Sequence, residues 1–125
     1  MSLLFSDEVL KDGHCITSEN KEYFCFLEKD GTFSFKKKNG EKPPISLWDF
    51  PPPVSGVSPF SLKCSPNGDV EILDKTNKVV GLLNDQGRQS FGPFALMVRN
   101  DGTLILKNRF GNWCWLVKNK KVLLP

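Results

Sequence analysis

The chain has 125 residues, enough for one domain with a single core and too few for two. Charged residues make up 25% of it, and the formal net charge is +3. So weak a positive charge excludes nucleic-acid binding by charge alone, because that affinity comes from concentrated neutralisation of phosphates. Phenylalanine occurs ten times and alanine once, a balance that favours strands over helices.

The start of the chain predicts a β-hairpin and no targeting segment. Residues 3–16 alternate between apolar and polar types, with a break at residues 11–13. The apolar start is too short for a signal-peptide core, since Asp7 and Glu8 follow it. No segment of the sequence is apolar over the length of a bilayer. We therefore expect no membrane insertion and a cytoplasmic protein, which would be secreted only if a leader had been removed.

A second hairpin pattern spans Tyr23–Lys36, where an apolar run, the dipeptide Asp30-Gly31 and an alternating run follow one another. Asp-Gly between two such runs predicts a two-residue type I′ turn, in which both central residues need positive φ. In the second run Phe33 and Phe35 fall on one face, which predicts a half-buried strand.

This pattern returns around Asn67-Gly68 and Asp101-Gly102, so that the turn glycines 31, 68 and 102 are separated by 37 and then 34 residues. Self-similarity at a nearly constant period indicates internal repeats. Each repeat has one apolar face, so three sheets are expected to turn these faces toward a shared axis. We divide the single domain 1–125 into an N-terminal hairpin, repeats of about residues 17–53, 54–88 and 89–117, and a C-terminal tail strand.

Groups suited to catalysis or metal binding are scarce. The chain has one histidine, and its four cysteines show no C-x-x-C spacing, so neither a metal nor another cofactor is expected. No Ser-His-Asp, Cys-His or paired-carboxylate pattern supports an enzyme. The lysine runs at 36–38 and 118–121 are interpreted as solvated faces or protected sheet edges, not as a nucleic-acid site. We expect reduced thiols at Cys15, Cys25, Cys64 and Cys114.

One known family has a similar pattern. The run Leu4-Phe5-Ser6-x-Glu8-x-Leu10-x-x-Gly13, followed by the hairpin of Tyr23–Lys36, resembles the start of the bulb-type, monocot mannose-binding lectins, and the later repeats resemble the rest of that domain. The resemblance implies a β-prism II fold: all-β, with three four-stranded antiparallel sheets in a pseudo-threefold arrangement.

The resemblance also implies where the core and the disulfide of such a domain lie. Trp48 and Trp115 stand where two of the three tryptophans on the axis would be, and Gly81 takes the third place. We expect a neighbour such as Leu82 to fill that place, or the second sheet to be more mobile. Gly31 and Phe60 occupy the positions at which many members carry bridged cysteines.

In that family each repeat carries Gln-x-Asp-x-Asn-x-Val-x-Tyr across its hairpin, and these residues form a mannose site. Repeat one has, at the matching positions, Glu28, Asp30, Thr32, Ser34 and Lys36. Repeat two has Ser65, Asn67, Asp69, Glu71 and Leu73. Repeat three has Arg99, Asp101, Thr103, Ile105 and Lys107.

The candidate carbohydrate-binding residues are those of repeats one and three, and repeat three is favoured. There Asp101 and Thr103 keep an acceptor and a hydroxyl, Ile105 keeps the apolar floor, and Lys107 stands at the tyrosine position. The full set is Arg99, Asp101, Thr103, Ile105 and Lys107 in repeat three and Glu28, Asp30, Thr32 and Lys36 in repeat one.

The sequence therefore predicts a non-catalytic, lectin-like carbohydrate-recognition module. Its mannose motifs are degenerate, so we expect weak or altered glycan specificity. The alternative is a β-prism that has lost sugar binding and serves protein–protein contact, with a protein partner or a second copy of the chain.

Overall fold

The computed structural model describes residues 3–11, 13–84 and 91–125, and every regular element in these ranges is a β-strand. No helix in these ranges is long and apolar enough to cross a membrane. The strands are β1 (Leu3–Phe5), β2 (Val9–Lys11), β3 (Cys15–Thr17), β4 (Tyr23–Leu27), β5 (Phe33–Asn39), β6 (Lys42–Phe50), β7 (Ser61–Cys64), β8 (Val70–Leu73), β9 (Val79–Leu82), β10 (Ala95–Val98), β11 (Leu104–Lys107), β12 (Trp113–Lys118) and β13 (Lys121–Leu123).

The strands form three antiparallel sheets, as predicted. The first sheet has the order β3-β4-β5-β6, the second β2-β7-β8-β9, and the third β1-β10-β11-β12-β13. Each of the three contains three strands that are consecutive in the sequence and one strand from the N-terminal segment. The third sheet has a fifth strand because the tail folds back on β12, where Val122 pairs with Val117.

The predicted N-terminal hairpin is wrong. β1 pairs with β10, β2 with β7 and β3 with β4, so each strand of this segment joins a different sheet. Leu4, Leu10 and Ile16 are the central residues of the three strands, lie six residues apart and are fully buried. A hairpin and three separate edge strands produce the same alternation of apolar and polar residues, so the pattern could not distinguish them.

The three repeat hairpins close with three-residue loops, not with the predicted type I′ turn. In the first, the Glu28 amide donates to the Thr32 carbonyl at 2.8 Å, and the Gly31 amide donates to the Glu28 carbonyl at 2.9 Å. Gly31 has φ +90°, and Asp30 has no positive φ, which describes a type I turn followed by a glycine bulge. The same pair of bonds links Ser65, Gly68 and Asp69 in the second hairpin and Arg99, Gly102 and Thr103 in the third.

The inner faces of the sheets form one core. Phe33, Phe35 and Trp115 are almost completely buried in it. The Trp48 and Trp115 rings meet edge to face with their centroids 5.8 Å apart, a favoured geometry for aromatic pairs. The two tryptophans predicted to line the axis are therefore in contact.

At the third axial place, Ile72 and not Leu82 covers Gly81. Ile72 pairs with Gly81 across the ladder, and its Cδ1 atom would lie 3.4 Å from a Cβ built on Gly81. Leu82 is partly exposed on the opposite face of its strand, because successive side chains of a strand point to opposite faces.

Gly31 and Phe60 adjoin in space, as the resemblance implies for the bridged positions. A Cβ on Gly31 would lie 3.2 Å from the Phe60 ring and 2.6 Å from Cδ of Pro53. No disulfide joins any of the four cysteines in this structure, and reduced thiols stay a prediction. Cys25, Cys64 and Cys114 are buried, and Cys15 is exposed.

Gly81→Ala is expected to stabilise the fold. The new methyl group makes ordinary contact with Ile72, and alanine restricts the unfolded chain, so the free energy of unfolding should rise by about 0.4–1 kcal/mol. Gly31→Ala is the matched control and should lower it by about 1–3 kcal/mol, because alanine is strained at positive φ. Denaturant unfolding of both variants measures the difference. Destabilisation by Gly81→Ala would show that the axis has no room there.

Thiol labelling should modify only Cys15 in the folded protein. Burial raises the pKa of Cys25 and of Cys114, and burial is also the main reason that the pKa of Cys64 rises to about 12, so these thiols lack both access and the reactive thiolate form. Mass spectrometry after iodoacetamide treatment should show one added group in buffer and four in guanidinium chloride. Cys15→Ser should abolish the labelling in buffer, and labelling of this variant in buffer would contradict the prediction.

Candidate functional site

The candidate residues of repeats one and three lie on different sheets and form separate surfaces. Those of repeat one lie on the β4–β5 loop and on β5, and those of repeat three lie on the β10–β11 loop and on β11. Each set must therefore be considered as a site of its own.

In repeat three the polar groups of Asp101 and Thr103 already have partners within the loop. Asp101 Oδ1 accepts hydrogen bonds from the Thr103 amide at 3.2 Å and from the Thr103 hydroxyl at 2.6 Å. Asp101 Oδ2 lies 3.0 Å from an Arg99 guanidinium nitrogen. Thr103 is only 2% exposed. The acceptor and hydroxyl that the sequence retains at this site thus serve the turn.

The charge state of Asp101 follows from these contacts. Burial by itself would raise the pKa of Asp101, but the Thr103 hydroxyl, the Arg99 guanidinium and the Thr103 amide together hold that pKa below the ordinary value for an aspartate. Each of these partners favours the ionised carboxylate. Asp101 is therefore a fixed anion at neutral pH.

The rest of the repeat-three set does not converge on Asp101. Ile105 is 5% exposed and pairs with Met97 on one side and Leu116 on the other, so its outward face is enclosed by apolar neighbours. Lys107 lies further along β11, opposite Ala95 and Trp113, and lines a different hollow.

In repeat one, Asp30 and Thr32 also serve the turn. Asp30 Oδ1 accepts the Thr32 amide at 2.9 Å, and bonds from the Thr32 amide and hydroxyl lower the pKa of Asp30. The hydroxyl of Ser34 donates to Glu28 Oε2 at 3.1 Å. Glu28 lies at the edge of a hollow of about 460 Å³.

Two phenyl rings of β4 give this hollow an aromatic wall. Phe24 and Phe26 pair with Lys36 and Ser34 and lie nearly parallel, at 13°, with centroids 5.8 Å apart. The Lys36 ammonium stands 5.8 Å from the centre of the Phe26 ring. Both rings line the same hollow as Glu28, so aromatic, anionic and cationic groups meet on this outer face.

The sequence reasoning missed Phe24 and Phe26. A signal was present, since in the run Tyr23–Leu27 the buried residues Cys25 and Leu27 alternate with these two phenylalanines. The alternation places the phenyl rings on the outer face. The family motif covers only the β4–β5 loop and β5, so it contains no residue of β4.

Repeat two does not assemble a comparable polar site. Its Ser65 hydroxyl accepts the amides of Asn67 and Asp69 at 3.3 and 3.1 Å, and Leu73 is buried. Burial, followed by the nearby Asp69 carboxylate, raises the pKa of Glu71. Within the described ranges no three metal-ligating side chains come together in any repeat.

Thr103→Val tests whether the Asp101–Thr103 pair is a structural one. Valine keeps the volume but removes the hydroxyl, so the pKa of Asp101 should rise and the free energy of unfolding should fall by about 1 kcal/mol at neutral pH, a small value because the carboxylate is half exposed. The lowered pKa contributes stability above the unfolded-state value of about 3.9, so the difference should shrink as the pH falls through the folded-state pKa. Carboxyl NMR titration and denaturant unfolding measure the two effects. A pKa that does not move would show the bond to be unimportant.

Comparison with known proteins gives matches at the level of structure. No protein-family model and no curated protein sequence matches the chain. A lectin from Marasmius oreades has 18% identity and a TM-score of 0.75, over 94% of this chain and 91% of that one. A monomeric monocot mannose-binding lectin from Gastrodia elata has 17% identity and a TM-score of 0.74, over 97% and 100%.

The same fold occurs in the mannose-specific agglutinin of snowdrop (Galanthus nivalis), solved with methyl-α-D-mannoside. It has 16% identity and a TM-score of 0.67, over 86% of this chain and 90% of that one. At these identities the likeness is one of fold, and it agrees with the resemblance in the sequence. The chain has the β-prism fold of the bulb-type mannose-binding lectins.

Proposed function

We propose that the protein is a non-catalytic carbohydrate-recognition module whose specificity differs from that of the mannose-binding lectins. The observation that carries this proposal is the outer face of repeat one, where Phe26 and Glu28 line a hollow and the Lys36 ammonium lies 5.8 Å from the centre of the Phe26 ring. This face belongs to a fold shared with proteins solved in complex with mannosides. The proposed site lies in repeat one, whereas the sequence favoured repeat three.

Recognition of mannose in the manner of that family lacks support in repeat three. A mannose site needs an amide and a carboxylate that exchange hydrogen bonds with adjacent hydroxyls. Asp101 already accepts from Thr103 and Arg99, and diverting Asp101 to a sugar would leave the buried Thr103 hydroxyl unpaired, at a cost of about 1–3 kcal/mol. A single sugar on an open surface does not offset such a cost.

Repeat one offers groups that a sugar can use. The C–H groups on one face of a pyranose ring are apolar and slightly positive, so they pack on the negative face of an aromatic ring such as Phe26. Glu28 supplies a carboxylate acceptor, and Lys36 supplies a donor that rotates freely on a long stem. Thr17 lies on the same face, paired with Phe24. An aromatic wall with a few polar groups is typical of small-ligand sites.

Protein–protein contact is the second candidate function, favoured by exposed phenylalanines elsewhere on the molecule. Phe5, Phe91 and Phe110 are each more than half exposed, and exposed apolar groups of this size mark contact surfaces when they lie together.

The cytoplasmic location stays a prediction.

A glycan array on the purified protein should identify a neutral oligosaccharide ligand, and titration with that ligand should shift the amide resonances of β4 and β5. We expect millimolar affinity for a single sugar. Phe26→Ala should weaken binding about tenfold, equivalent to about 1.4 kcal/mol, the upper range for an aromatic contact. Val54→Ala, at a fully exposed apolar residue that lines neither hollow, is the control and should leave binding of the neutral ligand unchanged.

Three results would contradict this assignment. Shifts centred on Asp101 and Thr103 would transfer the site to repeat three. Micromolar binding of simple mannose at all three repeats would show that the family's sites are intact. An array and a titration without any response would leave protein contact as the function.

A further inference from the structure

A second hollow lies on the outer face of the third sheet, near the first residue of β10. Four strands contribute residues that are in register here: Phe5, Ala95, Lys107 and Trp113. Ala95 is the only alanine of the chain, and its small side chain forms the floor between larger neighbours. The resulting groove encloses about 470 Å³, within the ~300–1,000 Å³ range of small-ligand sites.

Aromatic rings flank this groove, and an arginine side chain stacks on two phenyl rings beside it. Phe5 on one side is 51% exposed, and Phe110 on the other is 63% exposed. The Arg109 guanidinium carbon lies 4.8 Å from the centre of the Phe110 ring and 5.7 Å from that of Phe91. Stacking occupies the faces of a guanidinium and leaves its N–H edge free to bind a carboxylate with two parallel hydrogen bonds.

Three hydrogen bonds donated by backbone amides hold the loop that carries Arg109 in place. Asn108 Oδ1 accepts the amides of Phe110 at 3.0 Å and Asn112 at 3.1 Å, and the Arg109 amide donates to the Phe91 carbonyl at 2.9 Å. Phe91 has φ +70°, a strained conformation for a bulky residue, of the kind that concentrates at functional sites. The groove is thus built before any ligand enters.

The groove carries positive charge that the described residues do not neutralise. The ion pairs in these ranges are Lys63–Asp7 and Arg99–Asp101, so no described carboxylate pairs with Lys107 or Arg109. The Glu8 carboxylate on the same edge accepts the Phe5 amide at 2.8 Å. A ligand with a negative charge would therefore complement the groove.

The backbone at the floor excludes docking by strand addition. β10 is paired with β1 on one side and with β11 on the other, so its amides and carbonyls are already used. An extended peptide needs a free sheet edge to bind in that way. The ligand must instead combine an apolar face for the phenyl rings with a carboxylate for Arg109 and Lys107, which a pyranose ring bearing a carboxyl group does.

We propose that this groove binds an acidic sugar, a pyranose carrying a carboxylate, with its ring against Phe5 and Phe110 and its carboxylate on Arg109 and Lys107. The sugar part of the assignment rests on the proposed carbohydrate-recognition function. The site itself is distinct from the repeat-one face and lies on another sheet.

Titration of the isotope-labelled protein with matched glycosides tests this proposal. Methyl glucuronide and methyl glucoside share one ring and differ in the carboxylate, and a methyl sialoside serves as a second acidic probe. We expect at least one acidic probe to bind at least tenfold more tightly than the glucoside and to shift the amides of Ala95, Arg109 and Phe110. Arg109→Gln should abolish this preference, and Arg109→Lys should restore only part of it.

Lys63→Gln is the control, because Lys63 is a cation that pairs with Asp7 and lies on the second sheet, outside every candidate site; it should leave the preference unchanged. Equal binding of acidic and neutral probes, or no effect of Arg109→Gln, would overturn the proposal. So would acetate alone reproducing the shifts at the same affinity, or an acidic Glu-Phe dipeptide binding more tightly than either acidic sugar. Neutral-glycan shifts at Phe26 without an acidic-sugar response would refute this site and leave the proposed function standing.

Discussion

One apolar core shared by three sheets is the constraint on which the rest of the structure depends. Each sheet has a single apolar inner face and cannot be stable alone, so all three must close on the same axis. The N-terminal strands close it, since Leu4, Leu10 and Ile16 each complete a different sheet and bury one side chain centrally. The contact between Trp48 and Trp115 joins two of the sheets directly.

Closure of the hairpins uses the polar groups that a mannose site would need. The glycine-bulge loops leave amides unpaired, and the side chains of Asp30 and Asp101 accept them. Aspartate is favoured in such turns for this reason alone. Asp101 can therefore persist in the turn whether or not a sugar binds, and its presence in the motif says little about function. The groups available to a ligand lie instead on the strands beside the turns, as Phe26 shows.

The sequence predicts the inner half of this molecule better than its outer half. Alternation and the repeat period lead to three sheets, and the resemblance leads to Trp48 and Trp115 on the axis, because burial imposes a strict pattern on inward residues. The same alternation was misread at the start of the chain, since which strands pair depends on the whole fold. The Asp30-Gly31 turn was misassigned because one positive φ, at Gly31, satisfies the three-residue loop that forms.

The outer faces are less predictable because the core does not constrain them. Ile105 shows the consequence: it retains the apolar character expected of a sugar-site floor, yet in its sheet it is enclosed by Met97 and Leu116. Lys107 pairs with Trp113 at a point where the β11–β12 ladder shifts register, and such bulges re-aim side chains. A motif read along one strand cannot detect either effect, since both arise from neighbouring strands. Three equivalent inner faces are therefore compatible with outer faces that bind different ligands, and the ligand of each must be inferred from its own cross-strand neighbours.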